Sequence, residues 1–407
     1  MRIVFLFPTS YGFCDDSICF TFACQLSPLD KKPRVETRSE NSSLDSIAID
    51  HAHDLFKGRR VHFAFNTRTA IRTACDALGL NPGDEVLVPA YNCGSEIDPL
   101  LHAGLTIKIY PVGHDLIAAP DSIAKLLSPQ TRAIYVTHYF GLLQPRLAEI
   151  RALCDVHGLR MMEDCALSLL SGPHPPEGRT GDVSFFCFHK FFSVPGGSAL
   201  VINTDDLPQP PSFDRPPLRR AEIKFLARRI LGGTIGLDRL RKARRAFSET
   251  SADQIVNPSG TKQDIPSHYY FDPDLMGRRM SGITANAIRR IELNATIQQR
   301  RQNWQIYREL LVQVPHVKPL ILDLPHDICP HSMPVLIRDR DRIAVELQGA
   351  GFNVTPWWAG FHRGLDWTMA GDALTLKNHV LSLPTTPCLT RPDISRTVEQ
   401  LAARVSA

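Results

Sequence analysis

The sequence contains no apolar run that approaches the roughly 20 residues of a bilayer-spanning helix, and it has no Cys-x-x-Cys pair. Cys14, Cys19 and Cys24 are evenly spaced but match no metal-binding pattern. The basic segments carry no interleaved aromatics or nucleic-acid motifs, and there is no internal repeat or low-complexity tract. These absences predict a cytoplasmic protein with reduced thiols, no metal and no nucleic-acid partner.

Length and composition fit a two-domain globular protein. The 407 residues are 43% hydrophobic and 22% charged, which is ordinary for a chain with a sizeable core. The first residues imitate a short signal peptide, but Pro8, the acidic pair Asp15 and Asp16 and the missing cleavage pattern argue against one. We expect residues 1–45 to form a poorly ordered extension.

From residue 61 onward, short apolar segments alternate with helical segments. This alternation predicts an α/β fold with a mostly parallel sheet covered by helices. We place a large domain over residues 46–290 and a smaller C-terminal α/β domain over residues 291–407, bridged by one long helix over 281–314. The predicted strands of the large domain are VHFAF, DEVLVPA, IKIYP, RAIYVTHYF, LRMMED, DVSFFCF and ALVINT.

A basic excursion interrupts the large domain over residues 205–270. Between Arg215 and Arg245 the chain has eleven Lys or Arg residues against two acids. The pattern reads as two short amphipathic helices separated by Gly232 and Gly233. Three interpretations stay open: a solvated basic face, a contact for a phosphate-bearing substrate, or peripheral contact of Arg219–Arg245 with an anionic membrane.

Lys190 lies in the aromatic run VSFFCFHKFFSVPGG, and Asp164 follows the apolar segment GLRMME. A lysine between aromatics is commonly a snorkelling surface residue, and an aspartate after a strand is commonly a cap or turn residue. Here both residues, with His138, lie at or just beyond predicted strand ends, where ligands of parallel sheets collect. A desolvated amine and a carboxylate are the two groups that a pyridoxal 5'-phosphate (PLP) enzyme needs.

Seven segments resemble, in the same order, the DegT/StrS-type family of PLP-dependent sugar aminotransferases. They are LGLNPGDEVLVPAY, THYFGL, GLRMMEDCA, the GD of GDVSFF, the run from Lys190 to Gly197, RRMSGITANAI and LSLPTTP. The family is a branch of the fold type I PLP-dependent transferases. The resemblance therefore implies a large domain with a mostly parallel seven-stranded sheet and a smaller C-terminal α/β domain.

The resemblance also implies residue roles. Lys190 would hold PLP covalently, and Asp164 would face the ring nitrogen. The segment NTRTA, residues 66–70, would receive the phosphate at a helix start, where backbone N–H groups favour anions. Arg279 would reach the phosphate, often across a dimer interface, which implies a homodimer. The predicted cofactor-binding set is Thr67, Arg68, Thr69, Tyr91, Asp164, Cys187, Lys190 and Arg279.

Some positions depart from the family pattern. Arg68 replaces a glycine of the phosphate turn, and Leu167 stands where many members have Gln or His. Cys187 stands where relatives with this spacing have Ser, and Gly277 replaces an Asn. Cys93 lies near the usual ring-stacking aromatic, for which Tyr91 is the nearest candidate. These departures indicate an outlying branch of the family.

The leading hypothesis is transfer of an amino group, with glutamate as donor, to a keto-sugar linked to a nucleotide. Lys190 and Asp164 are the predicted catalytic residues. His138, His189 and Trp357 are candidates for the acceptor pocket, although a structural role for His138 stays open. The alternatives are a PLP-dependent sugar dehydratase, whose relatives typically have histidine in place of the lysine, and a degenerate PLP-fold regulatory or membrane-associated protein.

Overall fold

The computed structural model describes residues 55–234 and 270–406. Its larger sheet has seven strands. In chain order they are β1 (Arg60–Ala64), β2 (Glu85–Pro89), β3 (Thr106–Tyr110), β4 (Thr131–Thr137), β5 (Arg160–Asp164), β6 (Val183–Cys187) and β7 (Ser198–Ile202). Each predicted strand of the large domain is found within a few residues of its expected position. The expectations for residues 1–45, for Cys14, Cys19 and Cys24 and for residues 235–245 concern positions outside the described residues.

The spatial order of the strands is β1-β7-β6-β5-β4-β2-β3. Strands β3, β2, β4, β5 and β6 are parallel, whereas β7 runs antiparallel to both of its neighbours, β6 and β1. All five residues of β6 and of β7 are buried, as expected for strands covered on both faces. The prediction of a mostly parallel seven-stranded sheet is confirmed.

Helices connect the parallel strands, and local sequence signals fix their ends. They are α1 (Thr67–Ala77), α2 (Gly94–His102), α3 (Pro120–Ala124) and α4 (Leu147–His157). Asn66 caps α1, because its side chain accepts a hydrogen bond from the backbone N–H of Thr69. Gly158 ends α4 in the left-handed conformation, with φ of 63°, which a residue without Cβ adopts at little cost.

The basic excursion begins with a helix, α5 (Arg219–Thr234). The predicted break at Gly232 and Gly233 is wrong, because α5 continues through both glycines. Glycine costs about 1 kcal/mol relative to alanine inside a helix, so it weakens a helix without ending it. In the described part of the chain, no helix combines the length and apolar character needed to cross a bilayer.

The predicted single helix over 281–314 is also wrong. The structure has two helices, α6 (Gly282–Arg289) and α7 (Leu293–Leu311). Between them, the N–H groups of Arg290 and Ile291 bond to carbonyls three residues earlier, which tightens the last turn. Ile288 of α6 packs in one apolar cluster, which Leu293 and Ile297 at the start of α7 also contact, and Trp304 farther along α7 packs in the other cluster. The turn lies at the predicted boundary near residue 290, while the domain limits themselves remain predictions.

The C-terminal part forms a four-stranded antiparallel sheet in the order β10-β11-β9-β8. The strands are β8 (Lys318–Pro319), β9 (Ser332–Leu336), β10 (Thr355–Pro356) and β11 (Val380–Pro384). The helices are α8 (Arg340–Gly349), α9 (Ala373–His379) and α10 (Arg391–Val405). Leu347, Leu376 and Leu401, one from each helix, are fully buried. The predicted α/β fold class is confirmed.

Candidate active site

The carboxyl ends of β4, β5 and β6 meet at one edge of the larger sheet. Thr137 pairs with Asp164, and Asp164 pairs with Phe185 on the next strand. The chain leaving β6 then forms a short 3-10 turn, Phe188–Lys190. Both predicted catalytic residues therefore lie at the edge where parallel sheets bind their ligands.

Asp164 is a buried carboxylate with two donors. Its Oδ2 accepts from the hydroxyl of Tyr135 at 2.8 Å, and its Oδ1 accepts from the backbone N–H of Ala166 at 2.8 Å. Burial raises the pKa of Asp164, while these two bonds and the nearby charges of His138 and Lys190 oppose the rise. Because the charge of Lys190 lowers the pKa of Asp164, the two predicted catalytic residues lie in one site.

Lys190 is held by the aromatic residues around it. Phe188, Phe191 and Phe192 are buried and anchor the turn. The Nζ of Lys190 lies 5.0 Å from the ring centroid of Trp357, within the range of a cation–π contact.

Gly197 allows the return strand to pack against this turn, since its carbonyl accepts from the N–H of Phe188 at 3.1 Å. Its φ is +114°, and a Cβ there would lie 2.9 Å from Thr284 Cγ2. Only glycine fits this close approach.

A second buried carboxyl group, Glu96, lies near Asp164. Its Oε1 accepts from the N–H of Cys93 at 3.0 Å, at the start of α2. Burial, followed by the charge of Asp164, raises the pKa of Glu96 well above its usual value. Sequence analysis missed it, although a glutamate at the third position of a helix is a recognised capping signal.

The start of α1 offers hydrogen-bond donors beside Lys190. The first N–H groups of a helix, here those of Thr67 and Arg68, have no intrahelical acceptor. The buried hydroxyl of Thr67 lies next to the Cys187 thiol and has no well-aligned partner among the described residues. The hydroxyl of Thr69 donates to the Asn66 carbonyl and its N–H donates to the Asn66 side chain, each at 2.9 Å, and its contact with the phosphate stays a prediction.

Cys187 and His189 lie between this helix start and Lys190. The Cys187 Sγ is 3.1 Å from Nδ1 of His189. Burial raises the pKa of the Cys187 thiol, and the neighbouring Lys190, Thr67 and Arg68 oppose the rise. His189 thus contacts the predicted cofactor-binding thiol, and its role toward a substrate stays a prediction.

Arg279 lies close to the same helix start in the folded chain. It forms a bridge with Ala64, and its N–H bonds to the carbonyl of Arg215 at 2.9 Å. Ala64 precedes the cap residue Asn66 by two positions. The predicted phosphate contact of Arg279 and its place at a dimer interface remain predictions.

The side chain of Tyr91 is fully buried, with ring centroids 5.5 Å from Tyr139 and 5.1 Å from Trp358. Its hydroxyl donates to the carbonyl of Trp357 at 3.3 Å. Tyr91 therefore connects the larger sheet to the segment that carries Trp357, and its stacking on the cofactor ring stays a prediction.

His138 does not line an acceptor pocket. Its fully buried ring is 2.9 Å from Glu163 through Nε2, and its Nδ1 accepts from the N–H of Gln144 at 3.0 Å. His138, Glu163 and Cys165 place possible metal ligands within 4.8 Å of one another, but both ring nitrogens are already hydrogen-bonded. The arrangement is a structural link between β4, β5 and the following loop.

A cleft opens next to Lys190 and is bounded by residues of the C-terminal sheet. Trp357 lines it, so the structure brings this predicted substrate residue to Lys190. The remaining lining residues were not found by sequence analysis, because they lie far from Lys190 in the chain and match no motif. The full lining is Lys190, Arg300, His331, Ser332, Asn353, Thr355, Trp357, Ser382, Pro384 and Thr386.

These groups fit PLP in chemical terms. Asp164 is buried and ionisable, with oxygens that can accept a further hydrogen bond, from a protonated ring nitrogen. Lys190 supplies the amine. The free donors at the start of α1, together with the Thr67 hydroxyl, suit a phosphate dianion.

The arrangement of sheet and helices is that of the fold type I PLP-dependent transferases. The aminotransferase TlmJ from Streptoalloteichus hindustanus has a similar structure, with a TM-score of 0.61 over 89% of this chain and 90% of that one, at 18% sequence identity.

Residues 57–209 match the DegT/DnrJ/EryC1/StrS aminotransferase family. It is 30% identical over 171 residues to GDP-perosamine synthase of Vibrio cholerae. It is 32% identical over 142 residues to UDP-N-acetyl-3-dehydro-alpha-D-glucosamine 3-aminotransferase of Acidithiobacillus ferrooxidans. The matches cover 41% and 33% of this chain, and 46% and 38% of the respective relatives, so they span less than half of each.

Proposed function

We propose that the protein is a PLP-dependent aminotransferase that moves an amino group from glutamate to a keto-sugar carried by a nucleotide. The observation that carries the proposal is the joint placement of Lys190 and Asp164 at the carboxyl edge of the sheet. The match of residues 57–209 to the DegT/DnrJ/EryC1/StrS aminotransferase family supports it. The two curated relatives support the substrate class, because their names refer to GDP- and UDP-linked sugars.

PLP would be held by Lys190, Asp164 and the start of α1, and when bound it supplies a ring that accepts electrons. The Asp164 carboxylate would stabilise a positive charge on the ring nitrogen. The hydrogen bonds from Tyr135 and Ala166 favour the ionised form of Asp164. The Nζ of Lys190 accepts and returns a proton as general base and acid. The buried phenylalanines around Lys190 fix the turn that positions its amine.

The cofactor-loaded protein, mixed with L-glutamate, tests this proposal. We expect a change in its visible spectrum and one equivalent of 2-oxoglutarate. Lys190→Ala is expected to abolish both, while Lys125→Ala, at an exposed lysine, leaves them unchanged. No response of the wild-type protein to glutamate or any other amine would refute the proposal and favour a degenerate PLP-fold protein.

Keto-sugars linked to nucleotides then test the second half of the reaction. An aminotransferase returns to its starting spectrum and forms an amino sugar. A dehydratase would instead consume the acceptor without accumulating 2-oxoglutarate. The presence of Lys190, where dehydratases typically have histidine, favours the first result. The homodimer, the cytoplasmic location and a membrane contact through Arg219–Arg245 stay predictions.

A further inference from the structure

Two buried N–H groups in the cleft beside Lys190 have no hydrogen-bond partner among the described residues. They are Nε of Arg300 and Nε1 of Trp357. The two side chains are 1% and 2% exposed. An unpaired buried donor costs roughly 1–3 kcal/mol. Two such donors in one cleft therefore indicate a ligand that accepts hydrogen bonds there.

The charge of the cleft indicates that this ligand is an anion. Lys190 and Arg300 both line the cleft, and its lining contains no Asp or Glu. The other hydrogen bonds of Arg300 go to backbone carbonyls, with Nη1 donating to His331 at 2.9 Å and Nη2 donating to Phe191 at 3.2 Å. Among the described residues, the hydrogen-bond partners of the Arg300 guanidinium are therefore carbonyl dipoles, and none is a carboxylate. An anionic group would compensate it.

The shape of the donors favours a carboxylate. The Nε edge of a guanidinium matches a carboxylate, which binds it through two parallel hydrogen bonds. The hydroxyls of Ser332 and Ser382 lie in the same cleft, 2.7 Å apart. The phosphate of the cofactor has its own donors at the start of α1. A carboxylate next to Trp357 would also lie close to Lys190, whose Nζ is 5.0 Å from the Trp357 ring.

We propose that Arg300 and Trp357 bind a carboxylate of the amino donor in this cleft, an inference that rests on the proposed function. Arg300 would then hold the donor with its reacting carbon near Lys190. Because Arg300 also bonds to the carbonyl of Phe191, the residue after Lys190, it would couple donor binding to the position of the amine.

Binding of glutarate to the cofactor-loaded protein, followed by calorimetry, tests the site without turnover. Glutarate carries two carboxylates and no amine, and glutaramide is its neutral counterpart. We expect glutarate to bind saturably and glutaramide to bind at least about tenfold more weakly, as the loss of a charged hydrogen bond implies. Equal binding of the two compounds, or no binding of glutarate, would overturn the inference.

Variants then locate the site. Arg300→Met is expected to weaken glutarate binding by about tenfold or more, and Trp357→Phe, which removes only the N–H, by about threefold to tenfold. Arg301→Met is the matched control, because Arg301 is the next residue and also bonds to backbone carbonyls, those of Pro325 and Ile328. It should leave binding unchanged. If Arg300→Met does not fold, Trp357→Phe and the comparison with glutaramide still decide the question.

The results separate this inference from the proposed function. If glutamate changes the spectrum but glutarate binding is insensitive to Arg300 and Trp357, the carboxylate site is wrong and the aminotransferase proposal stands. If glutarate binds as expected but no amine changes the spectrum, the site exists and the proposed reaction is wrong.

Discussion

The hydroxyl of Tyr135 donates to Oδ2 of Asp164 at 2.8 Å, and both side chains are buried. Tyr135→Phe removes this bond and leaves Asp164 with the N–H of Ala166 as its other donor. Burial raises the pKa of Tyr135 well above its usual value. The hydroxyl therefore remains a donor throughout the pH range of the experiment.

The expected magnitude follows from the kind of bond that is lost. A hydrogen bond to a charged group contributes about 1.5–3 kcal/mol, and one pKa unit corresponds to about 1.4 kcal/mol. The bond stabilises the ionised form, so its removal should raise the pKa of Asp164 by about one to two units. Burial already raises this pKa, and the change adds to that effect.

PLP affinity as a function of pH measures the shift, because the ring nitrogen needs an ionised carboxylate. The cofactor-free protein is titrated with PLP at a series of pH values between 5 and 9, and the affinity for PLP should fall toward the acidic end. In Tyr135→Phe this acidic limb should move to higher pH by about one to two units. The movement is upward because a carboxyl group with a higher pKa is protonated at a higher pH.

Tyr110→Phe is the matched control. The Tyr110 hydroxyl is also buried in the sheet and donates to the backbone carbonyl of Tyr135 at 2.8 Å. Its removal should cost about 1 kcal/mol of stability without moving the acidic limb. If both variants move the limb equally, or if Tyr135→Phe leaves it in place, the Tyr135 bond does not control the ionisation of Asp164.

Gly197→Ala is expected to lower the free energy of unfolding, measured by urea denaturation, by about 2–4 kcal/mol, because φ is positive and the added Cβ would clash. Gly58→Ala is the control: φ is positive there too but the space is open, so we expect a loss of about 1 kcal/mol. Burial raises the pKa of Glu163 but its bonds lower it overall. The ionised Glu163 carboxylate should therefore stabilise the folded protein above pH 4.5, and this contribution should be lost as the pH falls through the folded-state pKa of Glu163. The melting temperatures of the wild type and of Glu163→Gln should consequently converge in acid. Burial raises the pKa of Cys329 to about 11, so iodoacetamide mapping at pH 8 should modify half-buried Cys93 before Cys329.

The strands and the two catalytic residues could be predicted because each depends on a short segment of sequence. Segments such as VSFFC are continuously apolar since both faces of the strand are covered. Asp164 and Lys190 follow such strands directly, and parallel strands place their ends at one edge whatever the loops between them do. Pattern and topology are sufficient for this part of the site.

The helix boundaries depended on packing, which the sequence pattern does not contain. Residues 281–314 have no proline and only Gly282 among glycines, so nothing local marks the turn at Arg290 and Ile291. Ile288 of α6 and the first turns of α7, through Leu293 and Ile297, pack in one cluster, whereas Trp304 farther along α7 packs in the other. Conversely, Gly232 and Gly233 look like a break although α5 continues through them.

Some of the predicted site residues have protein partners that the sequence does not reveal. Thr69 and His138 were assigned to ligands because their side chains can donate or accept hydrogen bonds near the site. In the structure, those same groups already have protein partners, Asn66 for Thr69 and Glu163 with Gln144 for His138. A sequence shows which side chains can form hydrogen bonds, but only the fold shows which of them remain available.

That distinction also separates Arg300 from Arg340. Arg340 is equally buried, but its Nε donates to Asp341 at 2.7 Å and its two Nη groups donate to the carbonyls of Val380 and Lys377. Arg300 has the same kind of carbonyl partners and lacks a carboxylate and a partner for Nε. An arginine with a purely structural role can have all its hydrogen bonds completed by an acidic neighbour, as Asp341 does for Arg340. Arg300 has no such neighbour among its partners in the described part of the chain. Its place in the cleft beside Lys190 supplies a reason for leaving that position to a substrate carboxylate.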